Sequence, residues 1–385
     1  MGKHTAYDLS QMQSLPLEAK IRMTKQRIQQ WYESWVRYEI CNKKTGKTRF
    51  VTATQEPPLK ENEYISRAYD GQVYVSISGG KDSTVLKHIV DSMYNDVPAV
   101  FVNTGLEYPE IQRFIRDIKA GRYDCFNTDI EIVRPEMRFD EVIKTYGYPL
   151  ISKEVAHKLH DAKSAERKGK TSYAHRQFEG SYISKNGKKT MISIKKWRFL
   201  LDAPFNVSNK CCSVMKKKPV NTYEKETGRV AIIGTMTFES PLRRQQWLKN
   251  GCNSFEKKRP TSQPMSFWTE QDVLLYIKKY NVPYCSVYGD IVVKGEDGYD
   301  YMTTIGDMEG EKLKTTGCSR TGCIFCMFGC HLEKEPNRFQ RLKKTHPKQY
   351  NYCINGGEMV DGKWQPNKEG LGLGKVLDHI GVKYD

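Results

Sequence analysis

The sequence predicts an α/β fold in which helices flank a parallel sheet, and three observations support it. Short apolar strands alternate with amphipathic helices from about residue 73 to residue 147. The first of these strands runs directly into a glycine-rich turn that opens a helix, "VYVSISGGKDSTVLKHIV" at 73–90. A further strand and helix follow residue 229, beyond a basic stretch that breaks the rhythm.

Taken in order, "LEAKIRMTKQRIQQWYESWVRY" (17–38) sets Leu17, Ile21, Ile28 and Trp31 at helical spacing with Lys and Arg between them. It predicts an amphipathic helix packed beside the first strand of the sheet. "CNKKTGKTRFVTATQEPP" (41–58) reads as a hairpin turning at Lys43–Lys47 and stopped by proline. Val73–Ile77 is a strand and Ser83–Met93 a helix. "AVFVNTG" (99–105) is the next strand, and "PEIQRFIRDIK" (109–119) a helix with proline at its first position. "IEIVRP" (130–135) is a strand, and "RFDEVIKTYG" (138–147) a helix closed by Gly147. "RVAIIGTM" (229–236) adds a strand. "WTEQDVLLYIKKY" (268–280) adds a helix with Thr269 as N-cap and Asp272 three residues on.

Three stretches interrupt this pattern: residues 162–200, very basic, with interleaved aromatics and an Asn186–Gly187 turn; 291–316, a polar hairpin; and 354–370, another hairpin. The expected division is an N-terminal extension over 1–70, an α/β domain over 71–290 that carries the 162–200 insertion, and a cysteine-rich region over 291–385. The chain has 385 residues, a formal charge of +17 and eleven cysteines. That charge favours anionic partners such as nucleotides or nucleic acid. No apolar run is long enough to span a membrane, and "MGKHTAYDLSQMQ" lacks the apolar core of a secretory signal. A cytoplasmic location is expected, where cysteines serve as thiols or metal ligands.

In "SGGKDS", Gly79 and Gly80 bare the backbone N–H groups, and the helix dipole lies behind them. Lys81 adds a full charge, and Ser78 and Ser83 add hydroxyl donors. Asp82 caps the helix or positions a metal. Lys81 and Asp82 are the expected catalytic pair.

"SGGKDS" resembles the pyrophosphatase loop of the adenine-nucleotide α-hydrolase superfamily, whose fold is Rossmann-like (HUP-type). "NTGLEYPE" (103–110) resembles the second motif of its phosphoadenosine phosphosulfate (PAPS) reductase branch, which implies that Thr104, Gly105 and Glu107 face the nucleotide. "GTMTFESPLRRQQW" (234–247) resembles a later segment of that branch, making Gly234, Arg243 and Arg244 nucleotide-binding candidates. "PMSFWTEQDVLLYIKKYNVPYCSVYGD" (264–290) is similar to another, and the likeness runs from about residue 70 to about 330.

Two cysteine clusters stand out, "NKCCSVMKKKP" (209–219) and "TGCSRTGCIFCMFGCH" (316–331). Four thiolates suit zinc or an iron–sulfur cluster. The adenosine phosphosulfate (APS) reductases pair a tandem Cys-Cys with a distant Gly-Cys-x-x-Cys. That resemblance implies a [4Fe–4S] cluster, with zinc as the alternative, on Cys211, Cys212, Cys323 and Cys326. A local site of Cys318, Cys323, Cys326 and Cys330 is the rival, and metal-free buried thiols are a third reading. Cys252 is a reserve ligand, and Cys41, Cys125 and Cys285 read as small core hydrophobes. The segment "GLGLGKVLDHIGVKYD" (370–385) has no cysteine, whereas sulfonucleotide reductases carry a nucleophilic one in a Glu-Cys-Gly-Leu-His-like tail. Cys353 lacks that context.

The resemblance implies one of three functions. The first is use of Mg2+ with ATP to activate an acceptor, a nucleic acid among the candidates, for sulfur transfer, with AMP and pyrophosphate released and a protein or thiol as sulfur donor. The second is reduction of PAPS or APS with thioredoxin or glutathione as electron donor. The third is a nucleotide-binding accessory role in a nucleoprotein or defence complex.

Overall fold

The structure, a computed structural model, describes residues 4–180, 187, 194–294, 300–301 and 312–385. Two compact units share the chain. One comprises Met1–Asn103, Glu107–Val133 and Val220–Thr321; the other comprises Thr104–Leu106, Arg134–Pro219 and Gly322–Asp385. The sequence position 290 thus falls inside the first unit.

The first unit opens with helices α1 (Ala6–Gln13) and α2 (Leu17–Ser34) and strands β1 (Val36–Asn42), β2 (Thr48–Ala53) and β3 (Glu63–Tyr69). Strand β4 (Val73–Ile77), helix α3 (Lys81–Asp91), strand β5 (Ala99–Val102), helix α4 (Pro109–Lys119) and strand β6 (Ile130–Val133) follow. The main sheet runs β6-β5-β4, then Val230–Ile233, Thr261–Ser262 and Asn253–Ser254. All neighbours are parallel except the last pair. α4 shows why helices cover it: Ile111, Phe114, Ile115 and Ile118 form one apolar stripe, all buried. The chain builds outward from β4 through β5 to β6, then returns to the opposite side of β4. The crevice at the carboxyl ends of β4 and Val230–Ile233 is therefore a topological switch point, where open α/β sheets bind ligands.

The expected elements recur, several with shifted ends, and two points differ. The helix expected over 17–38 stops at Ser34, because Trp35 is extended and Val36–Tyr38 enter β1. It packs on α3 and the Thr261–Ser262 strand, and its Ile28 and Trp31 share one buried cluster with Val73 and Val75 of β4. β3 was not anticipated. It pairs antiparallel with β1 across a bulge at Glu39/Ile40 and completes a β2-β1-β3 sheet. The hairpin over 43–47 and the one at 358–365 form as expected, and Ile291–Lys294 pairs with both Asp300–Tyr301 and Leu313–Thr315.

In the second unit, Leu150–Ile151 pairs in parallel with Met327–Phe328. Helices Lys153–Glu166 and Tyr173–Glu179 precede the tandem cysteines, and Arg338–Thr345, Pro347–Ile354 and Leu373–His379 follow the CxxC. The turn expected at Asn186–Gly187 lies within 181–193, of which only Gly187 is described.

Candidate functional site

Residues 78–83 bridge the end of β4 and the start of α3, at the switch point of the first unit's sheet. Gly79 has φ +72°, and a Cβ there would stand 2.7 Å from the Ile111 side chain, so only glycine makes this turn. The Ser78 N–H donates to Ser83 Oγ at 3.1 Å, the two hydroxyls lie 3.0 Å apart, and Ser83 Oγ donates to the Gly80 carbonyl. The loop is thus tied to itself. Gly234, at the end of the adjacent strand, lets that strand approach: a Cβ there would be 3.1 Å from the Asp82 carbonyl oxygen.

A cavity of about 210 Å3 opens here, lined by loop residues Ser78 and Gly80–Ser83, by Gly234, and by Glu239, Arg243, Tyr288, Arg320 and Thr321. Lys81 is buried; its ammonium donates to the Ser319 carbonyl at 2.6 Å and lies 2.9 Å from Glu270 Oε1. The Lys81 N–H donates to Tyr288 Oη at 3.3 Å, and that hydroxyl lies 2.7 Å from Thr321 Oγ1. Arg243 and Arg320 both pair with Glu239, which also accepts from the Met236 N–H at 3.0 Å. Burial, reinforced by the neighbouring Arg320, pushes the Arg243 guanidinium down. Burial pushes the Asp82 carboxyl up, against the pull of Lys81. Asp82 Oδ1 is buried with no hydrogen-bond partner among the described residues. Lys81, Arg243 and Arg320 gather beside a glycine turn at a helix N-terminus, an arrangement that favours an anion.

The structure brings Ser78, Gly80, Lys81, Asp82, Ser83, Gly234 and Arg243 together. Neither Glu107, half-buried, nor Arg244, exposed on the Pro241–Asn250 helix, lines the cavity. Thr104 and Gly105 group with the second unit, where Thr104 Oγ1 accepts from the Leu106 N–H at 3.1 Å. Sequence reasoning missed Tyr288, Thr321, Glu239 and Arg320. Arg320 was masked by its place inside the cysteine-rich "TGCSRTGC".

The second unit holds Cys211, Cys212, Cys323, Cys326 and Cys330. Cys211 and Cys212 begin a helix that widens to i→i+5 bonding over Ser213–Lys217, a local irregularity common at functional sites. The Cys326 N–H donates to the Cys323 carbonyl at 3.1 Å, closing the turn, and Arg338 donates to the Cys326 carbonyl at 2.8 Å. Cys211 is hydrogen-bonded to Cys212 and feels the charges of Cys323 and Cys326. The Cys211 hydrogen bond, with Lys153 and Lys216, holds the Cys212 thiol down, while burial pushes Cys326 up. Soft sulfur donors amid Lys and Arg charge fit a thiolate-bound centre. Even so, among the described residues no group of three or more His, Cys, Asp or Glu stands close enough to hold a metal ion. None of the eleven cysteines forms a disulfide.

Cys330 is buried beside Cys326, whereas Cys318 and Cys252 group with the first unit, Cys252 Sγ lying 3.3 Å from Ser266 Oγ. Cys285 is buried as expected. Cys125 is exposed and Cys41 half-exposed, because they lie in a surface turn and on the open face of β1, so neither is a core hydrophobe.

A family model, the phosphoadenosine phosphosulfate reductase domain, matches residues 72–181 and 174–327. The adenosine 5'-phosphosulfate reductase of Staphylococcus haemolyticus (strain JCSC1435) is 23% identical over 227 residues, spanning 59% of this chain and 69% of that protein. Adenosine 5'-phosphosulfate reductase 2 of Bacillus subtilis (strain 168) is 22% identical over 223 residues, spanning 58% and 69%. A crystal structure of phosphoadenylyl-sulfate (PAPS) reductase from Candida auris, a phosphate complex, aligns at 15% identity over 60% of this chain and 83% of that one, with a TM-score of 0.33. The matched model takes in the phosphate loop, the Gly234 strand end and both halves of the cysteine set, and the chain belongs to the phosphoadenosine phosphosulfate reductase domain family.

Proposed function

We propose that this family member is an enzyme that binds an adenine nucleotide by its phosphates at Ser78–Ser83 and uses ATP with Mg2+ to activate an acceptor for sulfur transfer. The observation that supports ATP is Asp82: its carboxyl, with a buried, orphaned oxygen, lines a cavity that also holds Lys81, Arg243 and Arg320, the two arginines being already paired with Glu239. A loop that only grips a sulfonucleotide gains nothing from that carboxyl, whereas phosphates accompanied by Mg2+ match it. An acceptor oxygen attacks the α-phosphorus, and the bond from that phosphorus to the bridging oxygen of pyrophosphate breaks. Lys81 and the loop N–H groups meet the charge on the leaving pyrophosphate. A sulfur nucleophile then displaces AMP from the acceptor. Cys211, Cys212, Cys323 and Cys326 would hold a [4Fe–4S] cluster, with zinc as the alternative; the cluster would supply a site for sulfur or electrons.

A second reading is thiol-dependent reduction of APS or PAPS to sulfite, which the likeness to adenosine 5'-phosphosulfate reductases favours. Calorimetric titration of anaerobically purified protein with Mg-ATP, APS and PAPS separates the two. Tighter binding of Mg-ATP, with pyrophosphate release in the presence of acceptor, supports the first. Preference for APS or PAPS overturns it in favour of the second.

A further inference from the structure

The β2-β1-β3 sheet buries Tyr38 and Ile40 on one side and opens the other to solvent. On the open side Phe50, Tyr64 and Tyr69 are 51%, 43% and 39% exposed. Cations interleave with these rings. The Arg37 guanidinium stands 4.4 Å from the Phe50 centroid, and Lys43 Nζ lies 5.7 Å from that of Tyr64. The register sets Tyr69 opposite Arg37 and Arg67 opposite Glu39. The same face runs into a second cavity of about 510 Å3, well outside the phosphate loop. Arg37 and Phe50 line it from the sheet, and Lys225, Arg229 and Lys257 outnumber Glu224 and Glu226 in the rest of its lining. Trp35 also lines it. That residue is 7% exposed, and its indole N–H has no acceptor among the described residues. Lys257 makes no ion pair among the described residues, and it is half-buried.

From this juxtaposition we infer that the open sheet face and the adjoining basic cavity form a docking site for a single-stranded nucleic acid. Exposed rings with cations between them stack bases without regard to sequence, and a basic groove tracks the backbone phosphates. Lys257 supplies a donor for a phosphate oxygen, and the chain's +17 charge draws a polyanion in. The site stands independently of the reaction proposed for Ser78–Ser83.

The test is fluorescence anisotropy with labelled oligo(dT), oligo(U) and a mixed-sequence duplex, each of about 20 nucleotides, across a salt series. Single strands should bind about tenfold or more tighter than the duplex. The doubly substituted Phe50→Ala, Tyr69→Ala protein should lose about tenfold or more for single strands, with its melting temperature unchanged. Lys257→Ala with Lys258→Ala should lower the salt slope by about 1 to 2. Lys81→Ala should bind the oligonucleotides as wild type does, even if nucleotide turnover is lost, which keeps this test separate from that of the loop. Absence of binding, equal binding of duplex or heparin, or no loss in the aromatic variant would overturn the inference. The DNA and RNA arms identify the preferred sugar.

Discussion

The Lys81 ammonium donates to the Ser319 carbonyl at 2.6 Å and lies 2.9 Å from Glu270. The loop's cation is thus already engaged by the first unit, and an arriving phosphate competes with a carbonyl and a carboxylate for it. Lys81→Ala should lower kcat/KM for the nucleotide about 100-fold or more, with an unchanged far-ultraviolet circular dichroism spectrum. Turnover at the wild-type level would take the loop out of the chemistry.

Asp82 carries a linked prediction about pH. Its carboxyl titrates above the ordinary value of 3.8, chiefly through burial. A raised carboxyl stabilises the fold fully below its unfolded pKa and loses that contribution as pH rises through the folded one. Asp82→Asn should therefore raise the melting temperature of ligand-free protein near neutral pH, with the difference vanishing below the ordinary value. It should also abolish the Mg2+ dependence of nucleotide binding. A melting difference that does not change with pH would contradict the burial argument.

Gly234→Ala tests the strand's approach to the loop. The new Cβ would meet backbone, the Asp82 carbonyl oxygen at 3.1 Å and Ser83 Cα at 3.3 Å, so the loop must shift by a few tenths of an ångström. Nucleotide affinity should fall about tenfold in the same calorimetric titration. Unchanged affinity would mean that the strand end plays no part in shaping the loop.

Anaerobically purified protein should contain about four iron atoms and four acid-labile sulfides per chain. Cys212→Ser and Cys323→Ser should each remove them, whereas Cys285→Ser, in the first unit, should not. Stoichiometric zinc in place of iron would favour the alternative centre, and iron retained in both variants would sink the ligand set.

Lys20 on α2 reaches both carboxylate oxygens of Asp272, at 2.9 and 2.7 Å, and the pair is 3% and 12% exposed. Lys20→Ala leaves that carboxylate to the Thr269 cap alone and should cost about 3 kcal/mol in urea unfolding. A change below about 1 kcal/mol would show that the cap alone satisfies Asp272.

The legible parts of the fold were those with strong local signals. α4 is found over the predicted 109–119, because a proline start and a clean apolar stripe leave little choice. The Ser78–Ser83 turn between β4 and α3 was legible because a glycine pair directly after a strand, with a helix behind it, has few structural uses. β3 was not, since its residues are mostly exposed and carry no apolar alternation; its pairing with β1 supplies what its own pattern lacks. Arg320 and Tyr288 reach the cavity through tertiary contacts made more than 200 residues from the loop, and no local pattern encodes such a distance. The cysteine pairs were legible as pairs, but Cys41 and Cys125 were misread because burial depends on what covers a residue.

The chain leaves the second unit after Pro219 and re-enters it at Gly322, with the intervening hundred or so residues belonging wholly to the first. Cys211 and Cys212 stand just before that exit, and Cys323 and Cys326 just after the return. Any group that grips both pairs fastens the neck of a very long loop, and closing a loop of this length removes more freedom from the unfolded chain than closing a short one. Loss of that group would loosen the base of an excursion that carries Gly234, Arg243, Tyr288 and Arg320, so redox damage at sulfur would be felt as a slackened tether on the chain that builds the phosphate cavity.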